Sequence, residues 1–175
     1  MITLTNDIYN IVNSVYFYIN NQQFISDSKL VTLSDKYPGL VITLGYPKNL
    51  KAMTLPTLAL SDSAINPKSS HTFSRNQEKH NFSIYGFCGN QVGGEADHKQ
   101  KFNLLGDLVN LLDPQNMGKS YIDLLDFTVE PRVVLDSVGI EGVTSKTLDP
   151  LPQTSLDSLI YRFVVYFNLM LMRDQ

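Results

Sequence analysis

The segment from Leu159 to Met172 reads LIYRFVVYFNLMLM, and it decides the fold. Large apolar side chains alternate with residues that are themselves mostly apolar. The content of β-branched and aromatic residues favours a strand over a helix. Because both faces of this strand are apolar, we predict that it lies in the centre of a sheet or is covered by a partner. Arg162 and Asn168 interrupt the apolar run, which argues against a membrane span.

Further strands are predicted on the N-terminal side of this segment. Alternating or short apolar runs, bounded by Pro and Gly, indicate strands at 39–46, 55–60, 80–88 and 132–138. Residues 71–75 are expected to pair with 80–88 through a turn at 76–79. The Ser-, Pro-, Thr- and Gly-rich stretches at about 62–70 and 139–155 are predicted to be long loops.

Two segments have the apolar spacing of amphipathic helices. The first runs from Ile8 to Ile19 after an expected N-cap at Thr5, and Asn20-Asn21 is expected to end it. The second runs from about Ala96 to Leu112, and its Lys99 and Lys101 are expected to point away from the apolar side. The predicted apolar faces are Ile8, Ile11, Val12, Val15, Tyr16 and Ile19 in the first helix, and Phe102, Leu105, Leu108, Val109 and Leu112 in the second.

These elements predict an α+β fold in which a mostly antiparallel sheet carries two amphipathic helices packed on one face. The 175 residues are expected to form a single domain. Hydrophobic residues make up 43% of the chain and charged residues 18%, which excludes an intrinsically disordered class. The net charge of −3 gives no general reason to expect binding to nucleic acid. The N-terminus lacks the basic start and apolar run of a signal peptide, so we expect a soluble domain in a reducing compartment.

The residues that could carry chemistry are few. His71, His80 and His98 could meet at a metal ion if the base of the hairpin approached the second helix, but their spacing matches no metal motif, and the alternative is that they are solvated. Cys88 could pair with a histidine as a nucleophile or could be a small buried hydrophobic residue. The loop from Gly86 to Gly94 lacks the P-loop pattern. We therefore predict no catalytic residues, no metal site, no cofactor and no enzymatic activity.

The order of the elements resembles the tail terminator and tail completion (head–tail joining) proteins of long-tailed bacteriophages. An amphipathic helix precedes a strand, and a polar hairpin joins two further strands before the second helix. The segments that carry the resemblance are the helix at 8–19, LPTLAL at 55–60, FSIYG at 82–86, FNLLGDLVNLL at 102–112 and YRFVVYF at 161–167. The long stretch at 139–155 departs from the shortest members of the family.

The resemblance implies a structural virion protein that forms a ring, expected to be a hexamer, at the head-proximal end of the tail tube. Such a ring stops growth of the tube and joins the tail to the neck. The implied partners are further copies of the chain, the tail tube protein and a neck or connector protein. DNA would pass through the lumen without sequence-specific binding, and no membrane would be involved. The implied location is the tail or neck of the virion, and the host cytoplasm during assembly.

The residues predicted to contact other subunits or the tube are aromatic or basic. A polar hairpin at 69–81 has too little apolar surface for a core of its own, so we expect it to become ordered against a neighbour. Tyr121 is expected with other aromatic residues on the sheet face opposite the helices. The predicted contact residues are Phe73, Arg75, Lys79, Tyr85, Phe87 and Tyr166. The alternatives are another neck role (head completion, stopper or tube-related protein), or a small cytosolic hydrolase or ligand-binding domain.

Overall fold

The computed structural model describes residues 4–50, 53–72, 75–89, 94–113, 121–152 and 159–174. Within these ranges the chain forms three helices and eight strands. In chain order they are α1 (Leu4–Asn21), β1 (Phe24–Ser26), β2 (Lys29–Val31), α2 (Leu33–Lys36), β3 (Val41–Leu44), β4 (Thr57–Thr72), β5 (Arg75–Cys88), α3 (Gly94–Leu112), β6 (Tyr121–Asp126), β7 (Val133–Pro152) and β8 (Leu159–Asp174).

A six-stranded sheet in the order β3-β4-β5-β8-β7-β6 forms the body of the protein. Only the β3–β4 pair is parallel, and the other four pairs are antiparallel. Strand β8 lies in the middle, between β5 and β7, and its Phe163, Val164 and Val165 are fully buried. The predicted α+β fold, with a mostly antiparallel sheet, and the predicted central strand are both confirmed.

The main core lies between the helices and one face of the sheet. It joins Ile11, Val15 and Ile19 of α1 to Leu104, Leu108 and Leu111 of α3, and both sets pack on alternate residues of the central strands. On strands β4, β5 and β8 the residues of this core are Leu58 and Leu60, then Phe82, Ile84 and Cys88, and then Phe163, Val165, Phe167, Leu169 and Leu171. The helices therefore cover one face, as predicted.

The apolar face of α3 differs from the predicted one. Phe102 is 49% exposed, whereas Lys101 is only 5% exposed. The Lys101 ammonium lies 4.4 Å from the centroid of the Phe102 ring and 5.7 Å from that of Tyr161. The lysine stem thus fills a buried position, and the aromatic rings hold its charged end, so the prediction that Lys101 points elsewhere was wrong.

Helix α1 lies between the two edge strands of the sheet. The Tyr16 hydroxyl donates to the backbone oxygen of Ile42 on β3 at 3.1 Å. On the other edge, the backbone N–H of Leu125 donates to Ser14 Oγ at 2.9 Å, and that of Phe127 donates to Asn10 Oδ1 at 3.1 Å. The side chains of one helix therefore satisfy backbone groups of β3 and of the β6 end, which protects both edges.

Several boundaries differ from the predictions. Helix α1 begins at Leu4, so Thr5 lies inside the helix and is not its N-cap, and Ile8 is 42% exposed. The predicted loop at 62–70 belongs to β4, and residues 139–152 of the second predicted loop belong to β7. Both strands contain register shifts, which accommodate Gly, Pro and Ser within a paired strand and explain why their composition resembled that of loops. Residues 153–155 lie outside the described part of the chain.

Four elements were not predicted. Strands β1 and β2 form a separate hairpin with a two-residue turn at Asp27-Ser28. Helix α2 begins with a capping box, in which Thr32 and Asp35 bond reciprocally. Strand β6 pairs with the start of β7. The Thr32-to-Asp35 spacing was a readable helix signal, whereas the short β1, β2 and β6 strands carry too few alternating residues to be distinguished from loops.

Candidate functional site

The sheet face that points away from the helices is called the outer face here. Since Phe82 and Ile84 enter the main core, Ser83, Tyr85 and Phe87 of β5 point to the outer face. On β8 the same alternation brings Val164 and Tyr166 there. The register places Ser83 opposite Tyr166 and Tyr85 opposite Val164. The prediction that Tyr85, Phe87 and Tyr166 lie opposite the helices therefore holds in geometry.

One end of the outer face is covered by the chain itself. Phe87 is fully buried and packs with Ala59 and Ile160. Four partly buried side chains pack over this second, smaller core. Leu50, Met53 and Leu55 come from the connection between β3 and β4, and Leu151 comes from β7. Phe87 is thus a core residue rather than an accessible contact residue, because a neighbouring loop of the same chain covers it.

Beside this smaller core the outer face carries three tyrosines, Tyr46, Tyr85 and Tyr166, which we call the tyrosine patch. The Tyr46 ring stands edge-on to Tyr85, with 5.0 Å between the centroids, and also to Phe87, with 5.5 Å between the centroids. Tyr46 and Tyr166 are each 43% exposed, and Tyr85 is half-buried. Tyr46 was not among the predicted contact residues, because the sequence placed it at the end of a strand at 39–46, whereas β3 ends at Leu44 and Gly45 has a positive φ angle just before Tyr46. Half-exposed aromatic rings on a regular sheet face offer contact area at little entropic cost.

The structure describes two of the three contact residues predicted in the hairpin, Arg75 and Lys79. Lys79 is half-buried on β5, where it pairs with Asn66 of β4 and Met170 of β8. Arg75 is the first residue of β5 and pairs with Thr72. Phe73 lies outside the described residues. The predicted turn at 76–79 was wrong, because Asn76 and Gln77 pair with His71 and Ser70 within the β4–β5 ladder.

Tyr121 is the first residue of β6 and lies beside the C-terminal half of α1. Together with Asp123 and Leu125 it forms one wall of an open surface depression of about 190 Å³. The other wall is the C-terminal half of α1. Its lining residues are Ser14, Phe17, Tyr18, Asn21 and Gln22. Because α1 runs along β6, the edge of the sheet and the helix together form this depression.

The histidines do not form a common site in the described residues. His80 is only 4% exposed on β5, so the prediction that it is solvated was wrong, and it pairs with Leu169 of β8. His98 is exposed on α3 and stands edge-on to Tyr161, with 5.1 Å between the centroids. Tyr161 and Leu169 are eight residues apart on one strand, which corresponds to about 26 Å. His71 belongs to β4.

Cys88 is fully buried at the end of β5. Burial, with a smaller contribution from the nearby Asp97 and against the opposing effect of Lys101, raises the pKa of its thiol to about 12. A thiol with so high a pKa is neutral at physiological pH and is a poor nucleophile. The interpretation as a small buried hydrophobic residue therefore fits the environment of Cys88 better than the nucleophile does.

Comparisons with known proteins add no family assignment. No protein-family model and no curated protein matches the chain. Across the described ranges, no group of three His, Cys, Asp or Glu residues is arranged to hold a metal ion. None of the helices described here is long and apolar enough to cross a membrane.

Proposed function

We propose that the chain is a structural virion subunit of the tail terminator type. Copies of it would form a ring at the head-proximal end of a phage tail tube, stop growth of the tube and join the tail to the neck. The observation that carries the proposal is the outer face, where the tyrosine patch stays half-exposed on a sheet whose opposite face is fully packed. Tyrosine is enriched among the few residues at the centre of a protein interface that together supply most of the binding energy.

The β4–β5 hairpin supports the same role. Strand β3 pairs only with Thr57–Leu60, whereas β4 continues to Thr72. Strands β4, β5 and β8 therefore extend together beyond β3, up to the pairs of Arg75 with Thr72 and Asp174. An extension of this kind lets a subunit reach a neighbour or the tube. Its Arg75 and Lys79 would meet acidic residues there and fix register more than affinity.

The proposal assigns binding partners and no chemistry. The partners are other copies of the chain, the tail tube protein and a neck or connector protein, and DNA would pass through the lumen without sequence-specific contacts. A ring requires a contact between two different surfaces of each subunit, because such a heterologous contact propagates until the rotation closes. The protein would reside in the tail or neck of the virion, and in the host cytoplasm during assembly.

The oligomeric mass tests the proposal. Light scattering on the purified chain, with and without tail tube protein, should give a species of about six times the 19.7 kDa subunit, and electron microscopy should show it as a ring. Tyr166→Ala should weaken assembly at least about tenfold while the circular dichroism spectrum stays unchanged. Tyr9→Ala, at a 58% exposed tyrosine of α1, is the matched control and should assemble normally. A chain that stays monomeric in both conditions would contradict the proposal.

A complementation assay tests the hairpin separately. Charge reversal at both Arg75 and Lys79 should leave the fold intact and reduce the yield of normal-length, head-joined tails. Lys99→Glu, on the exposed side of α3, is the matched control for a change of charge. Normal tails from the double reversal would show that the hairpin charges have no part in assembly.

A further inference from the structure

Strand β7 has an open edge beyond the end of β6. Strand β6 pairs with β7 only as far as Tyr121 opposite Gly139, whereas β7 continues to Pro152. Along this continuation β8 occupies one edge of β7, and none of the described residues forms a ladder with the other edge. Backbone N–H and C=O groups therefore point outward there, and a row of such groups accepts a further extended strand.

The open edge contains one regular run of five residues, Thr144–Leu148, which pairs in unbroken register with β8 from Tyr166 to Arg162. The first four residues of the run are exposed, and Leu148 is half-buried. A register shift bounds the run on each side. At the second shift the Arg162 guanidinium donates to the backbone oxygen of Asp149 at 2.8 and 3.0 Å, so this oxygen is already bonded. The run therefore has the length of an ordinary strand, about five to six residues.

The part of β4 that extends beyond β3, on the far side of the sheet, does not offer a comparable edge. It is interrupted by register shifts after Ser63 and after Asn66, and Pro67 lacks the N–H that a ladder needs. Its regular runs, 61–63 and 70–72, have three residues each. In the described residues of a second copy, the only edge that matches the run in length is therefore its own β7.

Lys146 opposes pairing of this edge with the same edge of a second copy. Full antiparallel overlap of two such runs places Thr144 opposite Leu148 of the second copy, and the two Lys146 side chains directly opposite each other. Like charges in that arrangement destabilise a strand pair, and a shifted register leaves at least one residue of the run unpaired. Lysine on an exposed edge is a common protection against association of identical edges. The same positive charge favours a carboxylate on the opposing strand.

We propose that the Thr144–Leu148 edge binds an extended segment of another protein, with an aspartate or glutamate of that segment opposite Lys146. The backbone of the segment supplies the hydrogen bonds, and its carboxylate supplies the preference for this partner over a second copy. Thr144 pairs with Tyr166 and Lys146 with Val164, so the added strand continues the outer face beside the tyrosine patch. The inference goes beyond the proposed ring and does not depend on it.

Peptide binding tests the edge. The probe is a short peptide of alternating threonine and valine with a central glutamate, and its counterpart has a central lysine. Binding is measured from the NMR shifts of the amides of residues 144–148 at millimolar peptide. The glutamate peptide should bind the wild type about fivefold more tightly than the lysine peptide, and Lys146→Glu should reverse this order. Lys99→Glu, at an exposed position of α3, is the control and should keep the wild-type order.

The outcomes separate the possible occupants of the edge. A glutamate peptide with every backbone nitrogen methylated should not bind, because it cannot form the ladder. The proposal is overturned if this peptide binds as well as the unmodified one, if the unmodified one leaves the 144–148 amides unshifted, or if Lys146→Glu keeps the wild-type order. Protection of these amides from hydrogen exchange by self-association of the wild type alone would also overturn it, since a second copy would then cover the edge. The ring is tested by its own mass, so the proposed function stands or falls separately.

Discussion

The ring of Phe163 on β8 lies directly over Gly86, its partner on β5. A Cβ atom at position 86 would overlap the ring carbons of Phe163. Gly86 has no positive φ angle, so the requirement for glycine comes from this close contact and not from the backbone. The absence of a side chain at Gly86 lets the fully buried ring of Phe163 lie flat on the sheet beneath α3. Rescue of a strand glycine by a cross-strand aromatic ring is a known stabilising arrangement.

Gly86→Ala should therefore destabilise the protein. The added methyl group has to displace a fully buried ring in a close-packed core, and overpacking of this kind costs about 1–3 kcal/mol of the free energy of unfolding. Urea denaturation measures the effect. Gly106→Ala is the matched control, because nothing lies within 4 Å of a Cβ at that exposed position of α3. It should leave stability unchanged or raise it by up to about 1 kcal/mol. Equal unfolding midpoints for Gly86→Ala and the wild type would contradict the packing described here.

Leu108→Ala should cost about 2–5 kcal/mol of the free energy of unfolding. Leu108 is fully buried between α3 and the sheet, and truncation leaves a cavity that the surrounding side chains fill only in part. Asn103→Ala, an exposed change on the same helix, should have little effect. A Leu108→Ala protein as stable as Asn103→Ala would show that this face of α3 does not pack as described.

Ser14→Ala should destabilise the edge of the sheet at β6. The substitution leaves the backbone N–H of Leu125 without its acceptor at a site where Ser14 is 1% exposed, and an unsatisfied buried donor costs about 1–3 kcal/mol. Hydrogen exchange at the Leu125 amide should speed up more than exchange in β8. Asn13→Ala is the control, because the Asn13 amide bonds to the Tyr9 oxygen on the exposed side of the same helix. Unchanged exchange at Leu125 would contradict the role of Ser14.

The sequence predicted the elements that have a long, regular period. The strand at 159–172, the strand at 80–88 and the two long helices were found because their apolar residues repeat over many positions. The rotation of α3 was not predictable, since Lys101 counts as polar in any pattern and its burial depends on Tyr161 from a distant strand. The segments at 62–70 and 139–152 were predicted as loops because register shifts place Gly, Pro and Ser within the paired strands β4 and β7.

The candidate contact surfaces were predictable in part. Alternation alone placed Tyr85 and Phe87 on the outer face, but their exposure depends on the connection before β4, which covers Phe87 and leaves Tyr85 half-buried. The position of Tyr121 beside α1 depends on how the helix lies along β6, and no local pattern encodes that.

Stability should fall at alkaline pH because Cys88, Tyr18 and Tyr37 hold their protons more tightly in the folded state. Burial together with the hydrogen bond to Asp107 raises the pKa of Tyr37. Burial raises the pKa of Cys88 from 9.0 to about 12 and that of Tyr18 from 10.0 to about 12. Above pH 9 the unfolded chain loses these protons while the folded chain keeps them, so unfolding releases protons and becomes more favourable as the pH rises. The contribution of Cys88 and Tyr18 is complete below pH 9 and is lost between pH 9 and about 12.

Part of the alkaline loss should depend on Cys88 and Tyr18. Cys88→Ala should lose less stability between pH 8 and pH 10.5 than the wild type, and Tyr18→Phe should behave in the same way, although it also loses the bond from the Tyr18 hydroxyl to the Leu111 oxygen at 2.9 Å. Denaturation by urea at a series of pH values gives the slope for each protein. Tyr9→Phe, at an exposed tyrosine of the same helix, should keep the wild-type slope. If Cys88→Ala and Tyr18→Phe both keep it as well, other groups cause the alkaline unfolding.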